Sequence, residues 1–314
     1  MPAGRQATPS RRINLHASIL RYLAEIARLG SIRRASVTLN VASSAINRQV
    51  LRLERDLGVR VFDRLPSGMQ LTPAGELLLQ HVRGTLQNFD RLLAEMDGLQ
   101  GIRSGHVTLA AVDSLLVGFV PRTLEEVSRR YPVITFSAVA AAPAGVLASV
   151  AAGEVEIGLS FVVPTALPLQ LVASAPAPLG CVMAPDHALA RHKCLSFADL
   201  EPYPLTFQSD SLPAGMDAQD EFTAFRNRAT ARFTSNSIEF QRGILRSGLA
   251  VACLTRLGFQ RELASGALVW VPLAAPRMRA LQIGLFIPER RTLSPAAGPV
   301  VSVLSRQLKE LAEE

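Results

Sequence analysis

One stretch limits what this chain can fold into more than any other: V-A-S-S-A-I-N-R-Q-V-L-R-L-E-R-D-L-G, from Val41 to Gly58. Its apolar residues Ile46, Val50, Leu53 and Leu57 are spaced four, three and four. That spacing puts one stripe of an α-helix into a core. The opposite side carries Ser44, Asn47, Arg48, Leu51 and Arg55, with Arg52 beside them. The face is small and polar at its start and basic further along. It suits a helix whose first turn meets base edges while its arginines meet phosphates. Alone, such a face could equally be a solvated helix surface, so the neighbouring segments must decide.

Leu15, Ile19, Tyr22, Leu23 and Ile26 recur at helical spacing, and Gly30 follows as a stop. Ser31 can cap a short second helix in which Ile32, Ala35 and Leu39 face inward. Asn40 suits the turn after it. The organising helix then begins near Ser43. Two helices joined by a short turn, with a third behind them, make a helix-turn-helix, and its second helix is the one that enters a DNA major groove.

After Gly58 comes V-R-V-F-D-R-L-P-S-G-M-Q-L-T, two extended runs around a P-S-G turn. This predicts a β-hairpin, the wing of a winged helix-turn-helix. Arg60, Arg64 and the Ser67–Gly68 tip can reach phosphates or a minor groove. Alternatively, Arg64 pairs with Asp63 or Glu54 and only steadies the wing. Thr72 and Pro73 are an N-cap followed by Pro at the first helical position. The helix they start runs to about Gly98, with Leu79, Val82, Leu86, Phe89, Leu93 and Met96 at heptad spacing. Its length is about 35–40 Å. An apolar stripe on so long a helix needs cover, which predicts a dimerisation linker. The alternative is a helix packed on its own domain.

The charge pattern agrees. Residues 1–105 hold 15 Arg and 8 acids, a net +7, whereas residues 106–314 hold 18 basic and 18 acidic residues and are neutral. A basic module joined to a neutral one points to nucleic acid at one end and another task at the other. Apolar residues make up 48% and charged residues 19%, a globular composition. No apolar run reaches the roughly 18 residues of a membrane span. The start, M-P-A-G-R-Q-A-T-P-S-R-R, reads as a flexible basic arm over 1–12 and not as a secretory signal. Cys181, Cys194 and Cys253 are far apart and odd in number, which suits a reducing cytosol and thus a cytoplasmic protein.

With these residues in place, the chain resembles the bacterial LysR-type transcriptional regulators. The resemblance rests on S-I-R-R-A-S-V-T-L-N-V-A-S-S-A-I-N-R-Q-V-L-R-L-E-R-D-L-G-V-R-V-F-D-R and the following L-T-P-A-G-E-L-L-L, and extends more weakly beyond residue 105. It implies base and phosphate contacts at Ser43, Ser44, Asn47 and Arg48, and wing contacts at Arg64 and Ser67. Arg52 joins them from the basic face. Three positions depart from the family's usual residues: Ala42 stands for Ser, Ser43 for Gln, and Asn47 for Ser. Ser43 cannot bond adenine in two places as Gln does, but Asn47 can. A DNA preference different from the family's commonest one follows.

The remaining two thirds alternate strand and helix. Strands are expected at His106–Val112, Val133–Val139 and Val155–Phe161, and helices at Leu116–Arg130 and Val146–Ala152. The pattern restarts with strands at Leu179–Met183, Leu205–Phe207, Ala231–Thr234 and Ala250–Cys253. Helices are expected at Met216–Asn227, Ile238–Arg246 and Arg256–Leu263. Leu268–Pro272 and Leu281–Ile287 then return as extended segments before a closing helix, Leu293–Ala312. The alternation argues for α/β architecture with parallel strands. The resemblance implies the rest of the plan: an N-terminal winged helix-turn-helix (13–72), a linker helix (73–101) and a two-lobed, periplasmic-binding-protein-like effector domain (102–314). Lobe I is expected over 102–162 and 268–314, and lobe II over 163–267.

A ligand in such a domain sits outside the carboxyl ends of the strands, between the lobes. Position along the strands nominates Asp113, Ser114, Phe161, Gln208, Ser209, Ser235 and Ser237. Ser237 can cap a helix and leave its N–H groups facing a carboxylate. The loop A-A-A-P-A-G at 140–145 lacks the hydroxyl or amide that the family often keeps there, which argues against a small dicarboxylate and for a less polar ligand. For each nominee a turn or cap role without ligand contact is the alternative.

His187, His192 and Cys194 match no metal-ligand spacing and read as a surface loop. Trp270, between Val269 and Val271, reads as core. No hydrolase, zincin, dinucleotide or P-loop motif is present. The expectation is therefore a regulator and not an enzyme, with no cofactor beyond an unidentified small-molecule effector. Its expected partners are promoter DNA bearing an interrupted palindrome, a second copy in a homodimer or homotetramer, and RNA polymerase. The rival is a cytosolic small-molecule binding protein without sequence-selective DNA binding.

Overall fold

The computed structural model describes residues 18–66, 68–99, 105–209 and 219–313. Two compact units divide the chain, Met1–Asp90 and Arg91–Glu314. The predicted 1–12 arm and Leu15 lie outside the described residues.

The first unit opens with α1 (Ser18–Leu29), α2 (Ile32–Leu39) and α3 (Ser43–Leu57). The Ser31 hydroxyl caps α2 by accepting from the Arg34 N–H. Asn40 ends that helix in the left-handed region, at φ 54°. Asn is one of the few residues other than glycine that adopts this conformation readily. Gly58 ends α3 in the same way. Tyr22, Leu23, Ile26, Ala35, Ile46 and Val50 interlock as one core, closed by Val61 and Phe62. Each large side chain so buried contributes about 1.5–3 kcal/mol. Leu57, assigned to the same stripe from its spacing, is 47% exposed, so the inward stripe fades at the end of α3.

The hairpin of β1 (Phe62–Leu65) and β2 (Gly68–Leu71) follows, antiparallel, with Phe62 opposite Leu71. The Glu54 carboxylate accepts from the N–H groups of Val61 and Phe62, at 2.8 and 3.1 Å, and ties the wing to α3. Gly68, at φ 132°, approaches the turn after α1 so closely that a Cβ would lie 2.5 Å from the Gly30 carbonyl oxygen. The Thr72 hydroxyl caps α4 (Pro73–Leu99) by accepting from the Gly75 N–H at 3.0 Å. Val82 of α4 is fully buried in the same core, and Leu78 and Leu86 pack against it. This corrects the expected dimer seam at Val82: that side chain covers its own domain. Leu79 and Phe89 are also buried, each 5% exposed. The side chains of Leu93 and Met96 lie outside the described residues. Leu77 and Leu92, at 72% and 43% exposed, are the large apolar residues that α4 leaves uncovered among those described.

The second unit begins with β3 (Gly105–Ala111), a single turn α5 (Asp113–Leu116), α6 (Phe119–Arg130), β4 (Ile134–Ala140), α7 (Pro143–Ala152) and β5 (Ile157–Phe161). The expected helix 116–130 is therefore two helices broken at Gly118. Next come β6 (Leu169–Pro176), β7 (Leu179–Met183), α8 (Phe197–Leu200), β8 (Leu205–Gln208), α9 (Gln219–Arg228) and β9 (Ala231–Ser235). The expected start of α9 at Met216 lies outside the described residues. The chain closes with α10 (Ile238–Arg246), β10 (Ala252–Thr255), α11 (Gln260–Ser265), β11 (Val269–Pro272), α12 (Pro276–Arg279), β12 (Gln282–Pro288) and α13 (Ala297–Glu313).

The strands form two lobes. Lobe I is a five-stranded sheet in the order β4-β3-β5-β12-β6. β3 runs parallel to β4 and β5, and β12 runs antiparallel to β5 and β6. α6 and α13 cover a core of Leu109, Ile157, Leu159, Leu285 and Leu304. Lobe II joins an antiparallel sheet, β10-β7-β11, to the parallel pair β8-β9 through a bridge between Leu205 and Val251. The expected lobe boundaries are corrected by this topology. β6 belongs to lobe I as its edge strand, although sequence reading assigned no strand there. β11 belongs to lobe II, with Val269 opposite Met183, although its place in the chain suggested the return to lobe I. The crossovers lie after β6 and before β12. They are bonded to each other, the Ala177 N–H donating to the Leu281 carbonyl at 2.8 Å.

Candidate nucleic-acid interface and interlobe cleft

α3 presents Ser43, Ser44, Arg48, Gln49, Arg52 and Arg55 to solvent, with Asn47 half-buried among them. The first turn is pre-set from behind, because the Ser43 hydroxyl donates to the Ser36 hydroxyl of α2 at 2.8 Å. Ser43 is thus partly engaged, whereas Ser44 is exposed beside it. Arg64 reaches back from β1 and donates from Nη2 to Asn47 Oδ1 at 2.7 Å. Neither pairing foreseen for Arg64, with Asp63 or Glu54, is the one formed. Glu54 is occupied by backbone amides instead. Arg52 makes a loose ion pair with Asp56 at 3.8 Å across two exposed side chains, an interaction of little strength. Arg48 is exposed and has no ion pair among the described residues. Ser67 lies outside them.

This geometry changes what Asn47 can do. The two-bond contact with adenine needs Oδ1 as acceptor and Nδ2 as donor. Oδ1 already accepts one bond and keeps a second lone pair. Adenine must therefore approach from the side away from Arg64, or Asn47 donates alone. The pairing joins helix and wing into one polar-basic surface whose pieces are fixed to each other before any DNA arrives.

In the second unit a cleft opens between the lobes, with a volume of about 980 Å³ counted to its open mouth. Of the nominated residues, Asp113, Ser114, Phe161 and Gln208 line it. Ser209, Ser235 and Ser237 do not, and each has backbone work instead. The Ser209 N–H donates to the Ser235 carbonyl at 3.1 Å. The Ser235 hydroxyl accepts from the Ser237 N–H at 3.1 Å, and the Ser237 hydroxyl caps α10 by accepting from the Phe240 N–H. The expected cap at Ser237 is present, but the amide expected to face a ligand is taken. Ile238 N–H donates to the Asp113 carboxylate at 2.6 Å, a bond from lobe II to lobe I.

Strand position alone missed Ile238, Thr255, Phe207 and Phe222, which also line the cleft, as do Asn236 between the two nominated serines and the Ala140–Pro143 part of the loop already read as facing the ligand. Phe207 and Phe222 meet edge to face, their ring centres 6.3 Å apart. Their signal in the sequence was only an apolar residue beside a loop, which core residues share. Cys253 lines the cleft opposite Cys181 in the β10-β7 register. Burial raises both thiols, that of Cys181 to about 12, so neither is a ready nucleophile.

The residues set aside from the sequence have structural positions. His187 accepts from the Leu189 N–H at 3.2 Å and meets Tyr203 edge-on, with burial lowering its pKa. Trp270 donates to the Leu254 carbonyl at 3.1 Å. Among the described residues no helix is long and apolar enough to cross a membrane.

Comparison with known proteins covers both the head and the two-lobed domain. Residues 18–76 match the model of the bacterial regulatory helix-turn-helix protein, lysR family, and residues 100–309 match the LysR substrate binding domain. The HTH-type transcriptional regulator YbhD of Escherichia coli K12 is 23% identical over 282 residues, covering 89% of this chain and 88% of its own. The RuBisCO operon transcriptional regulator of Allochromatium vinosum is 26% identical over 290 residues, covering 90% and 94%. Among solved structures, full-length OxyR from Pseudomonas aeruginosa superposes with a TM-score of 0.65 at 18% identity, over 96% of this chain and 98% of that one. Full-length CbnR complexed with its target DNA gives 0.61 at 20% identity, over 92% and 98%. With a winged head and a two-lobed domain both matched along nearly the whole length, this chain belongs to the LysR family of DNA-binding transcriptional regulators.

Proposed function

We propose that this regulator is a cytoplasmic homodimer, assembled further into a tetramer, that reads an interrupted palindrome in promoter DNA and answers to a small molecule held between its lobes. Ser44, Asn47 and Arg48 enter the major groove, and Arg52, Arg64 and Ser67 hold the backbone. One observation carries the effector reading: a cleft of about 980 Å³, counted to its open mouth, with walls from both lobes and the Asp113–Ile238 bond across it. A ligand there shifts the lobes only to the extent that it binds one arrangement better than the other. The change in lobe geometry then alters the spacing of the heads on DNA and their contact with RNA polymerase. The function is binding and not catalysis, and needs no cofactor besides the effector.

The test is selection of sheared genomic DNA by the purified protein at about 150 mM salt, since affinities depend steeply on ionic strength. The expected result is enrichment of a few loci sharing an interrupted palindrome. Retention without any shared sequence would leave the basic head a phosphate binder and defeat the palindrome reading.

A further inference from the structure

We infer that the effector of this regulator is an uncharged molecule with a broad apolar body and an amide- or hydroxyl-type polar group, and that the chain's own Asp113 excludes anionic ligands. The inference rests on the reading of the interlobe cleft as the effector site, and deepens it.

Three observations carry it. The first is the lining. Phe161, Phe207, Phe222, Leu179, Val112 and the Ala140–Pro143 loop give apolar walls, while Ser114, Gln208, Asn236 and Thr255 supply neutral hydrogen-bonding groups. No Lys, Arg or His is among the described lining residues. Arg226 stacks on the Phe207 ring at 5.5 Å but does not line the cleft.

The second is the start of α10. A helix N-terminus with free amides is the natural seat for a carboxylate or phosphate. Here three of the leading amides are already engaged by the chain. Ser235 takes the N–H of Ser237, Asp113 takes that of Ile238, and Ser237 takes that of Phe240. Asp113 comes from lobe I, so the seat is filled across the cleft by a side chain of the same chemistry as the ligand it displaces.

The third is the charge left over. Asp113 is the one charged side chain among the described lining residues. An anion would find the seat at α10 taken and no countercharge among the described lining residues, and would approach the like charge of Asp113 at low dielectric, which is unfavourable. A cation would find one carboxylate whose charge is already partly satisfied by the helix start. A neutral ligand meets no such conflict and can use Ser114, Gln208, Asn236 and Thr255 for orientation. A cleft that is mostly apolar with a few polar groups suits a ligand with an apolar body and a single polar handle.

The experiment uses a matched pair, 2-naphthamide and 2-naphthoate, equal in shape and different in charge, titrated into the full-length protein by calorimetry. The amide is expected to bind at least about tenfold more tightly than the carboxylate. In Asp113→Asn, which removes the charge and keeps an acceptor for Ile238, the gap should narrow. In Asp113→Ala, which also vacates the amide of α10, it should reverse. Equal or tighter binding of naphthoate to the unaltered protein overturns the inference, as does absence of binding by either probe at millimolar concentration. Ala141→Trp, which fills the cleft, separates the two layers of the argument. Naphthoate binding that Ala141→Trp abolishes leaves the cleft as the effector site and refutes only the ligand class. Amide binding that survives Ala141→Trp places the probe elsewhere and refutes the use of the cleft itself.

Discussion

Asn47 and Arg64 are seventeen residues apart in the chain and share one hydrogen bond, which on the proposed reading couples base readout to backbone grip. Asn47→Ala should weaken binding to the preferred operator by about 1–3 kcal/mol and relax selectivity at one base pair. Arg64→Ala should weaken all sequences and lower the salt slope by about one unit per head. Because the two side chains are bonded, the double variant should depart from additivity by about 0.5–3 kcal/mol. Strict additivity in a filter-binding or fluorescence assay at fixed salt would mean that wing and helix act independently. Much at this scale was legible beforehand, because the exposed residues of α3 follow from helical period alone. The partner of Arg64 was not. Choosing among Asp63, Glu54 and Asn47 requires knowing that Glu54 is already occupied by the amides of Val61 and Phe62, which is a fact of tertiary structure.

At the scale of elements, α4 has a divided role. Its first half belongs to the head, with Val82 fully buried and Leu78 and Leu86 packed around it. Heptad spacing predicted an apolar stripe correctly but could not say what covers it, since a stripe looks alike whether it meets its own domain or another copy. Val82→Asp should therefore unfold the head, by about 3 kcal/mol or more, because it buries an unpaired carboxylate in a close-packed core. Leu92→Glu, on an exposed position, should leave the melting temperature of the head nearly unchanged and shift sedimentation toward the monomer. Retention of the dimer in Leu92→Glu would move the proposed seam elsewhere. The strands tell a similar story. β7 and α10 match their predicted bounds because their patterns are local, whereas β6 was missed. β6 is an edge strand whose first four residues are half-buried or exposed, and its place depends on β12, far along the chain. Such long-range pairing leaves little trace in a local window.

At the scale of the whole molecule, charge and task are separated. The head carries the entire net +7, and the two-lobed domain is neutral with an apolar cleft. Long-range attraction to DNA is thus confined to the end that binds it, and the effector domain adds no competing field of its own. The hydrogen bond between Ala177 and Leu281 carries a further consequence. The two points where the chain enters and leaves lobe II are neighbours, and the strands that flank them, β6 and β12, are already antiparallel partners with Pro176 opposite Gln282. Lobe II is in effect a cassette spliced into the tip of a hairpin. Replacing residues 178–280 with a short Asn-Gly turn should leave lobe I as a continuous sheet that still folds, which circular dichroism and a cooperative melt would show. The same adjacency means that a lobe from another regulator could be grafted at those two residues, exchanging the chemistry being sensed without disturbing the reader of DNA.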